Sequence, residues 1–263
     1  MMESDCAPEN PPRQFPPALD SGSYYSFSMC GRYTITQDLA ELEKLVRFIC
    51  KVVDFKPRYN LAPRAQAPIL VWENGQPVLK PMRWGLIPSW SKDETLGDKL
   101  TNARADTINE KPSFRSQFAS QRCLIPADGF YEWQTTPGGK QPFRFTLKNG
   151  GYFCMAGLWD KWIRPPREDE LALDDTGPSA AQTVETFTII TTEPNPMVAA
   201  VHDRMPVILG PEHYQWWLQP NRFEPQFLKT LLRPYPAEDM ASYRVSKLVN
   251  NARFDAPACL QPG

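Results

Sequence analysis

Apolar residues along this chain fall into two periodicities. Leu39, Leu42, Leu45, Val46 and Ile49 recur at three- and four-residue spacing, which predicts an amphipathic helix over 38–50, and Asp38 with Glu41 resembles a capping box at its start. Short runs rich in β-branched and aromatic residues follow, at Pro68–Trp72, Val78–Trp84, Cys123–Ala127, Phe130–Trp133, Phe143–Leu147, Tyr152–Ala156 and Phe187–Thr192, and these predict strands. Turn signals such as Asn74-Gly75 and Asn149-Gly150-Gly151 separate some of them. Residues 211–218 and 224–232 read as two late helices. Strands and helices do not alternate regularly, so the expected class is a β-rich α+β fold and not a doubly wound one.

Two stretches escape both periodicities. Residues 1–28 hold five prolines and no apolar repeat, and are expected to be a disordered extension before a domain over 29–258, with 259–263 as a tail. Residues 164–185 are acidic and proline-containing, and read as a solvated loop inserted between strands. Hydrophobic residues make up 41% of the 263, enough for a substantial core. The net charge of -1 predicts no strong global attraction to polyanions, so a nucleic-acid surface must be local. No apolar run reaches the length of a membrane span, and no basic-then-apolar leader opens the chain. The six cysteines are scattered without a C-x-x-C pair and only two histidines exist, His202 and His213, which argues against a zinc site and for a reducing compartment. No cofactor is expected, and no glycine loop cradles phosphate.

Candidate chemistry lies in polar residues set among the predicted strands. Cys30 follows Met29 in MCGRY. At a mature N-terminus, Cys30 carries both an α-amine and a thiol, with ordinary pKa values of about 7.7–8.0 and about 8.5. Such a 1,2-aminothiol captures aldehydes, the amine forming an imine and the thiol closing a five-membered thiazolidine, which an internal cysteine cannot do. Glu132 is a carboxylate flanked by aromatics in DGFYEW. Asn102 and Arg104 lie in TNARADT, and His202 in VHDRMP. Each has a plain structural alternative: a small buried thiol, the exposed half of a strand, a loop-satisfying amide, a solvated charge, a hydrogen-bonded core histidine.

Together these residues carry a resemblance. MCGRY at 29–33, RYNLAP at 58–63, MRWGLIPSW at 82–90, TNARADT at 101–107, DGFYEW at 128–133, AGLWD at 156–160, TIITT at 188–192 and HDRMPVIL at 202–209 resemble the SOS response-associated peptidase (SRAP) family of abasic-site processing proteins. The resemblance implies a single β-rich α+β domain with a mixed or antiparallel barrel-like sheet flanked by helices, binding of single-stranded DNA, or single-strand/double-strand junctions, at abasic sites, and a covalent crosslink through the cysteine. It implies Cys30, Asn102, Glu132 and His202 as the catalytic set. His202 would assist opening of the sugar to its aldehyde, Glu132 would move the amine's proton, and Asn102 would orient the cysteine or the sugar. It implies Arg32 and Arg104 on backbone phosphate, and Trp90 with Pro63 and Asn60 beside the neighbouring bases. Trp84 and Trp133 are expected in the core, with Lys111, Arg115 and Arg122 as a possible extension of a basic channel. A self-cleavage that exposes Cys30 and an AP-lyase side reaction also belong to the implied activities.

The chain departs from the family in placing 28 residues before Met29, which blocks the Cys30 nitrogen. Translation from Met29 is the favoured explanation; cleavage before Cys30 and a noncovalent role are the others. Two rival functions stay open: a cysteine peptidase using Cys30 and His202, and a noncovalent module for single-stranded or modified DNA. The expected partner is abasic single-stranded DNA, the expected state a monomer, and the expected address the cytoplasm with the nucleoid.

Overall fold

The structure, a computed structural model, describes residues 30–164 and 182–263. The extension expected over 1–28 and most of the loop expected over 164–185 lie outside these. The strands are β1 (Arg32–Ile35), β2 (Ile49–Cys50), β3 (Arg58–Leu61), β4 (Gln66–Glu73), β5 (Gln76–Trp84), β6 (Asn102–Arg104), β7 (Arg122–Ala127), β8 (Gly129–Thr136), β9 (Gly139–Leu147), β10 (Phe153–Ile163), β11 (Thr183–Thr192), β12 (Met205–Pro206), β13 (Ile208–Leu209) and β14 (Met240–Arg244). One antiparallel sheet has the order β14-β9-β8-β1-β3. The other runs β12-β11-β10-β7-β4-β5-β2, and β5 also pairs with β11 through Arg83↔Thr186 and Trp84↔Phe187. Strands β11, β10, β7, β4 and β5 therefore close on themselves as a five-stranded ring, the barrel-like sheet that the resemblance implies. Six short α-helices, such as Arg115–Ser120 and Tyr214–Leu218, fringe the sheets, and no helix among the described residues is long and apolar enough to cross a membrane.

The predicted strands form, longer than their apolar cores, because hairpin pairing extends past the buried positions. Asn74 and Gly75 have φ of 50° and 83°, the double left-handed turn that the twist of β4 and β5 demands. Strand β11 starts at Thr183, so residues 183–185 belong to a strand and not to the expected loop. The helix expected over 38–50 stops early. Only Leu39–Glu43 is helical, and Ile49–Cys50 instead adds in parallel to β5 at Val78 and Leu79. Asp38 caps the amide of Ala40 at 2.9 Å, whereas Glu41 turns to Lys44 at 2.7 Å and completes no capping box. Apolar spacing that fits a helix was satisfied here by the open edge of β5.

Strand β8 organises the interior. Its alternation puts Phe130 and Glu132 on one face and Tyr131 and Trp133 on the other. On the first face lies the main core, where Phe130 stacks on Phe145 at 5.1 Å and Tyr33 meets Trp84 edge-on at 5.2 Å. On the second face Tyr131 and Trp133 pack with Val245, Val249 and Cys259. The residues expected as a tail are part of this layer: Cys259 is fully buried, Pro262 bridges to Val245, and the Gly263 amide donates to Arg244 O at 3.1 Å. Short 3-10 turns shape this segment, which leaves no periodicity to read.

Candidate active site

Cys30 precedes β1, and the antiparallel register of β1 on β8 (Arg32↔Tyr131, Tyr33↔Phe130) brings it to Glu132. The Cys30 backbone nitrogen donates to Glu132 Oε1 at 2.8 Å. Both residues are buried, Cys30 at 3% exposure and Glu132 at 2%. Cys30 holds φ at 49°, the left-handed region. His202 Nε2 lies 4.0 Å from the other carboxylate oxygen, Oε2. A short helix, Pro196–Ala199, delivers His202. Asn195 caps it by accepting from the Val198 amide at 3.0 Å, Pro196 opens it, and the His202 amide closes onto Val198 O at 2.9 Å. His202 Nδ1 accepts from the Arg204 amide at 3.2 Å and lies 3.0 Å from Asp203 Oδ1. These two contacts exclude each other: unprotonated Nδ1 serves the amide and leaves Nε2–H facing Glu132, whereas protonated Nδ1 serves Asp203.

Burial dominates the electrostatics. It raises the Glu132 carboxyl to about 7, against the opposing pull of His202 and of the hydrogen bonds from Cys30, with Asp203 adding to the rise. The Cys30 thiol is pushed well above its usual range by burial and by Glu132, while Arg204 pulls it partly back. The site therefore holds a neutral thiol at neutral pH beside a carboxyl group that burial keeps protonated well above the ordinary carboxylate range.

Two arginines lie near this trio, Arg104 exposed and Arg204 buried. Strand β6 adds in parallel to β11, pairing Asn102 with Ile189 and Arg104 with Thr191. The period of two buries Ala103 and places Asn102 and Arg104 on the other side. Asn102 Nδ2 donates to Thr101 Oγ1 at 3.4 Å. Arg104 is exposed and paired to Asp106 at 3.1 Å. Arg204, missed in the sequence although it lies two residues past His202, donates to Thr191 O at 2.7 Å and Oγ1 at 3.2 Å. Burial lowers its pKa and Arg104 lowers it further, so two guanidinium groups share one neighbourhood beside Cys30. Its signal was the charge flanking a histidine, which sequence cannot distinguish from a solvated surface.

Trp90 is 59% exposed and held rigidly. Strand β10 grips both neighbours, the Ser89 amide donating to Asp160 Oδ2 at 2.8 Å and the Trp162 indole to Ser91 O at 2.7 Å. The segment begins at Gly85, φ 116°, where a Cβ would stand 2.6 Å from Gly97 O. Pro63 is half-buried in the turn after β3.

Several sequence assignments turn inward. Arg32, expected on phosphate, is 7% exposed and donates to Asn60 Oδ1 at 3.0 Å and Val249 O at 2.6 Å, with its guanidinium 5.5 Å from the centre of the Trp133 ring. Asn60, expected beside the bases, is 1% exposed and donates to Val249 O, Asn251 O and Phe254 O. Arg122 is also no channel residue: it is buried at 2% and donates to carbonyls of Phe118, Ala119, Trp217 and Gln219. Such positions look charged in sequence, yet clustered carbonyls accept a guanidinium well. Lys111 and Arg115 are exposed, and Trp84 and Trp133 are in the core.

Comparison with known proteins places this geometry in a family. The SOS response associated peptidase (SRAP) profile matches residues 29–252. The abasic site processing protein YoqW of Bacillus subtilis is 41% identical over 237 residues, covering 89% of this chain and 99% of that one. The abasic site processing protein HMCES of Gallus gallus is 34% identical over 239 residues, covering 79% and 67%. A crystal structure of a Bacteroides thetaiotaomicron protein, 27% identical, superposes with a TM-score of 0.74 over 89% of this chain and 100% of that one. This chain belongs to the SRAP family.

Proposed function

We propose that this protein captures abasic sites in single-stranded DNA, and at single-strand/double-strand junctions, as a covalent adduct of the Cys30 α-amine and thiol. The observation that carries the reading is the 2.8 Å contact between the Cys30 nitrogen and Glu132 in a buried site. When Cys30 opens the chain, that nitrogen is an amine, and Glu132 is placed to take its proton. The names of the similar proteins, abasic site processing proteins, point the same way.

The chemistry follows from the groups present. An abasic sugar must open from its hemiacetal to its aldehyde, which needs a proton taken from one oxygen and given to another, a task for the His202 imidazole. The amine then bonds to the aldehyde carbon. Glu132, near 7, protonates the departing hydroxyl, and water leaves to give the imine. The Cys30 sulfur adds to the imine carbon, the C=N π pair moves to nitrogen, and the thiol proton ends on that nitrogen by way of Glu132. One water is lost overall. Burial keeps the thiol neutral while the amine attacks, so amine precedes sulfur. An imine left open permits β-elimination, the lyase side reaction.

Exposed Arg104 is suited to a phosphate beside the lesion, and Trp90 to stacking with an adjacent base, a contact indifferent to sequence, while buried Arg204 adds positive charge behind Cys30. Arg32 and Asn60 act from within by holding the strands that carry Cys30. Asn102, on the same strand as Arg104, orients the sugar or the cysteine. A general cysteine peptidase ranks lower, since such enzymes depress the thiol pKa beside a base and here it is raised. Cleavage of the bond before Cys30 is a preparatory step in this reading. The protein acts as a monomer in the cytoplasm, on nucleoid DNA.

Intact mass spectrometry tests the proposal. The Met29-start protein and the 263-residue chain are incubated with an oligonucleotide bearing one abasic site. The expected product is protein plus DNA minus one water, formed by the Met29-start form and lost in Cys30→Ala. Reversible binding without an adduct in either form would overturn it in favour of the noncovalent module.

A further inference from the structure

The residues that flank the reacting pair are held from the far side of the sheet. The 3-10 turn Lys247–Asn250 crosses behind β1 and β8, in a stretch that none of the recognised sequence patterns covers. Its Val249 and Asn250 carbonyls accept from Arg32, two residues from Cys30, at 2.6 Å and 3.4 Å. Its Asn250 Oδ1 accepts the indole N–H of Trp133, the neighbour of Glu132, at 2.7 Å. The stack of Arg32 on Trp133 ties the two contacts together, and Val249 is fully buried beneath them. We infer that Asn250 is a positioning residue, which sets Glu132 against the Cys30 nitrogen by fixing Trp133 from the opposite face of the sheet.

Adjacent residues of a strand point to opposite faces and share a peptide plane, so a rotation of Trp133 tilts Glu132 the other way. Asn250 Oδ1 accepts from the Trp133 indole, and is a polar group in an otherwise apolar layer with Tyr131, Val245 and Cys259. A displacement of about 1 Å at reacting atoms costs on the order of 100-fold in rate. The titratable and charged groups that face Glu132 are Cys30, His202 and Asp203, with Arg204 acting through Cys30, and substitution at Asn250 alters none of them.

The decisive measurement needs no DNA. In the full 263-residue chain carrying 13C-labelled glutamate, the Glu132 carboxyl, assigned by its loss in Glu132→Gln, is titrated by NMR. The wild-type midpoint is expected near 7. Asn250→Leu keeps the size and removes the acceptor; its midpoint should fall by about one unit as Glu132 loosens and admits water. Asn250→Asp restores an acceptor, its charge offset by Arg32, and should restore the midpoint. Should Asn250→Leu not fold, Trp133→Phe removes the donor alone and should give the same fall. Equal midpoints in every folded variant would overturn the assignment. The rate consequence rests on the abasic-capture reading: in Met29-start proteins, Asn250→Leu should crosslink roughly 10–100-fold more slowly and Asn250→Asp within about 3-fold of wild type. No adduct from the wild type would sink abasic capture while the titration still decides the positioning role.

Discussion

Arg32 and Arg104 carry the same guanidinium and the same sequence-based expectation of a phosphate contact, yet they inhabit opposite environments. Arg32 is buried behind β1 among Asn60, Val249, Asn250 and Trp133. Arg104 stands exposed on β6, with Asp106 beside it. The difference is topological: β1 is an inner strand with a covered back, whereas β6 is a short strand laid on the end of β11. Identical chemistry is therefore committed to packing in the dry interior and left accessible on the wet surface. Glu132 belongs to the interior and Trp90 to the surface.

The comparison is most sharply broken at Glu132. Replacing it with Gln removes the proton carrier while keeping size and burial, and should slow crosslinking by about 10²–10⁴-fold with noncovalent DNA binding retained, measured by gel shift beside adduct formation. Arg32→Ala should destabilise the fold by about 2–4 kcal/mol in urea, since it leaves Asn60 Oδ1 without its donor, takes one of two donors from Val249 O and removes the stack on Trp133, with the salt dependence of DNA binding unchanged.

A third test uses pH. The folded Glu132 is raised to about 7 from an unfolded value near 4.3, so folding favours its protonated form. The stability that this group contributes is full below about 4.3 and is lost as pH rises through 7, a change of about 3 kcal/mol. In urea melts at about pH 4 and about pH 8, the stability of the wild type relative to Glu132→Gln should fall by this amount, the shifts of the other carboxylates cancelling in the comparison. The smallest effect belongs to the surface. Arg104→Ala should leave stability within about 0.5 kcal/mol and lower the slope of log affinity against log salt by about 0.7, the share of one phosphate contact on a single strand.

The barrel strands were legible because their apolar runs are continuous and their turns carry Asn-Gly. Strands β1, β3 and β6 escaped because four residues or fewer define no period. The helix over 38–50 was over-read because Ile49 fits a helical face as well as it fits an edge strand. For the site, residue types gave Cys30, Glu132 and His202, but only pairing shows that Cys30 and His202 reach opposite oxygens of one carboxylate. Burial was invisible for the arginines: no local feature of RYNLAP or MCGRY says that carbonyls from 249–254 wait behind them. The segment that supplies them is built of 3-10 turns, whose pattern comes from tertiary contacts rather than from sequence period.

The left-handed backbone of Cys30 has a consequence for what can precede it. A φ torsion needs four atoms, the first being the carbonyl carbon of the residue before. For a side-chain-bearing residue, φ near 49° forces Cβ toward backbone oxygen, at about 1–2 kcal/mol. In a chain that opens at Cys30 the first of the four atoms does not exist, and neither does the clash. A chain that opened at Cys30 would not bear this cost in bringing its nitrogen to Glu132.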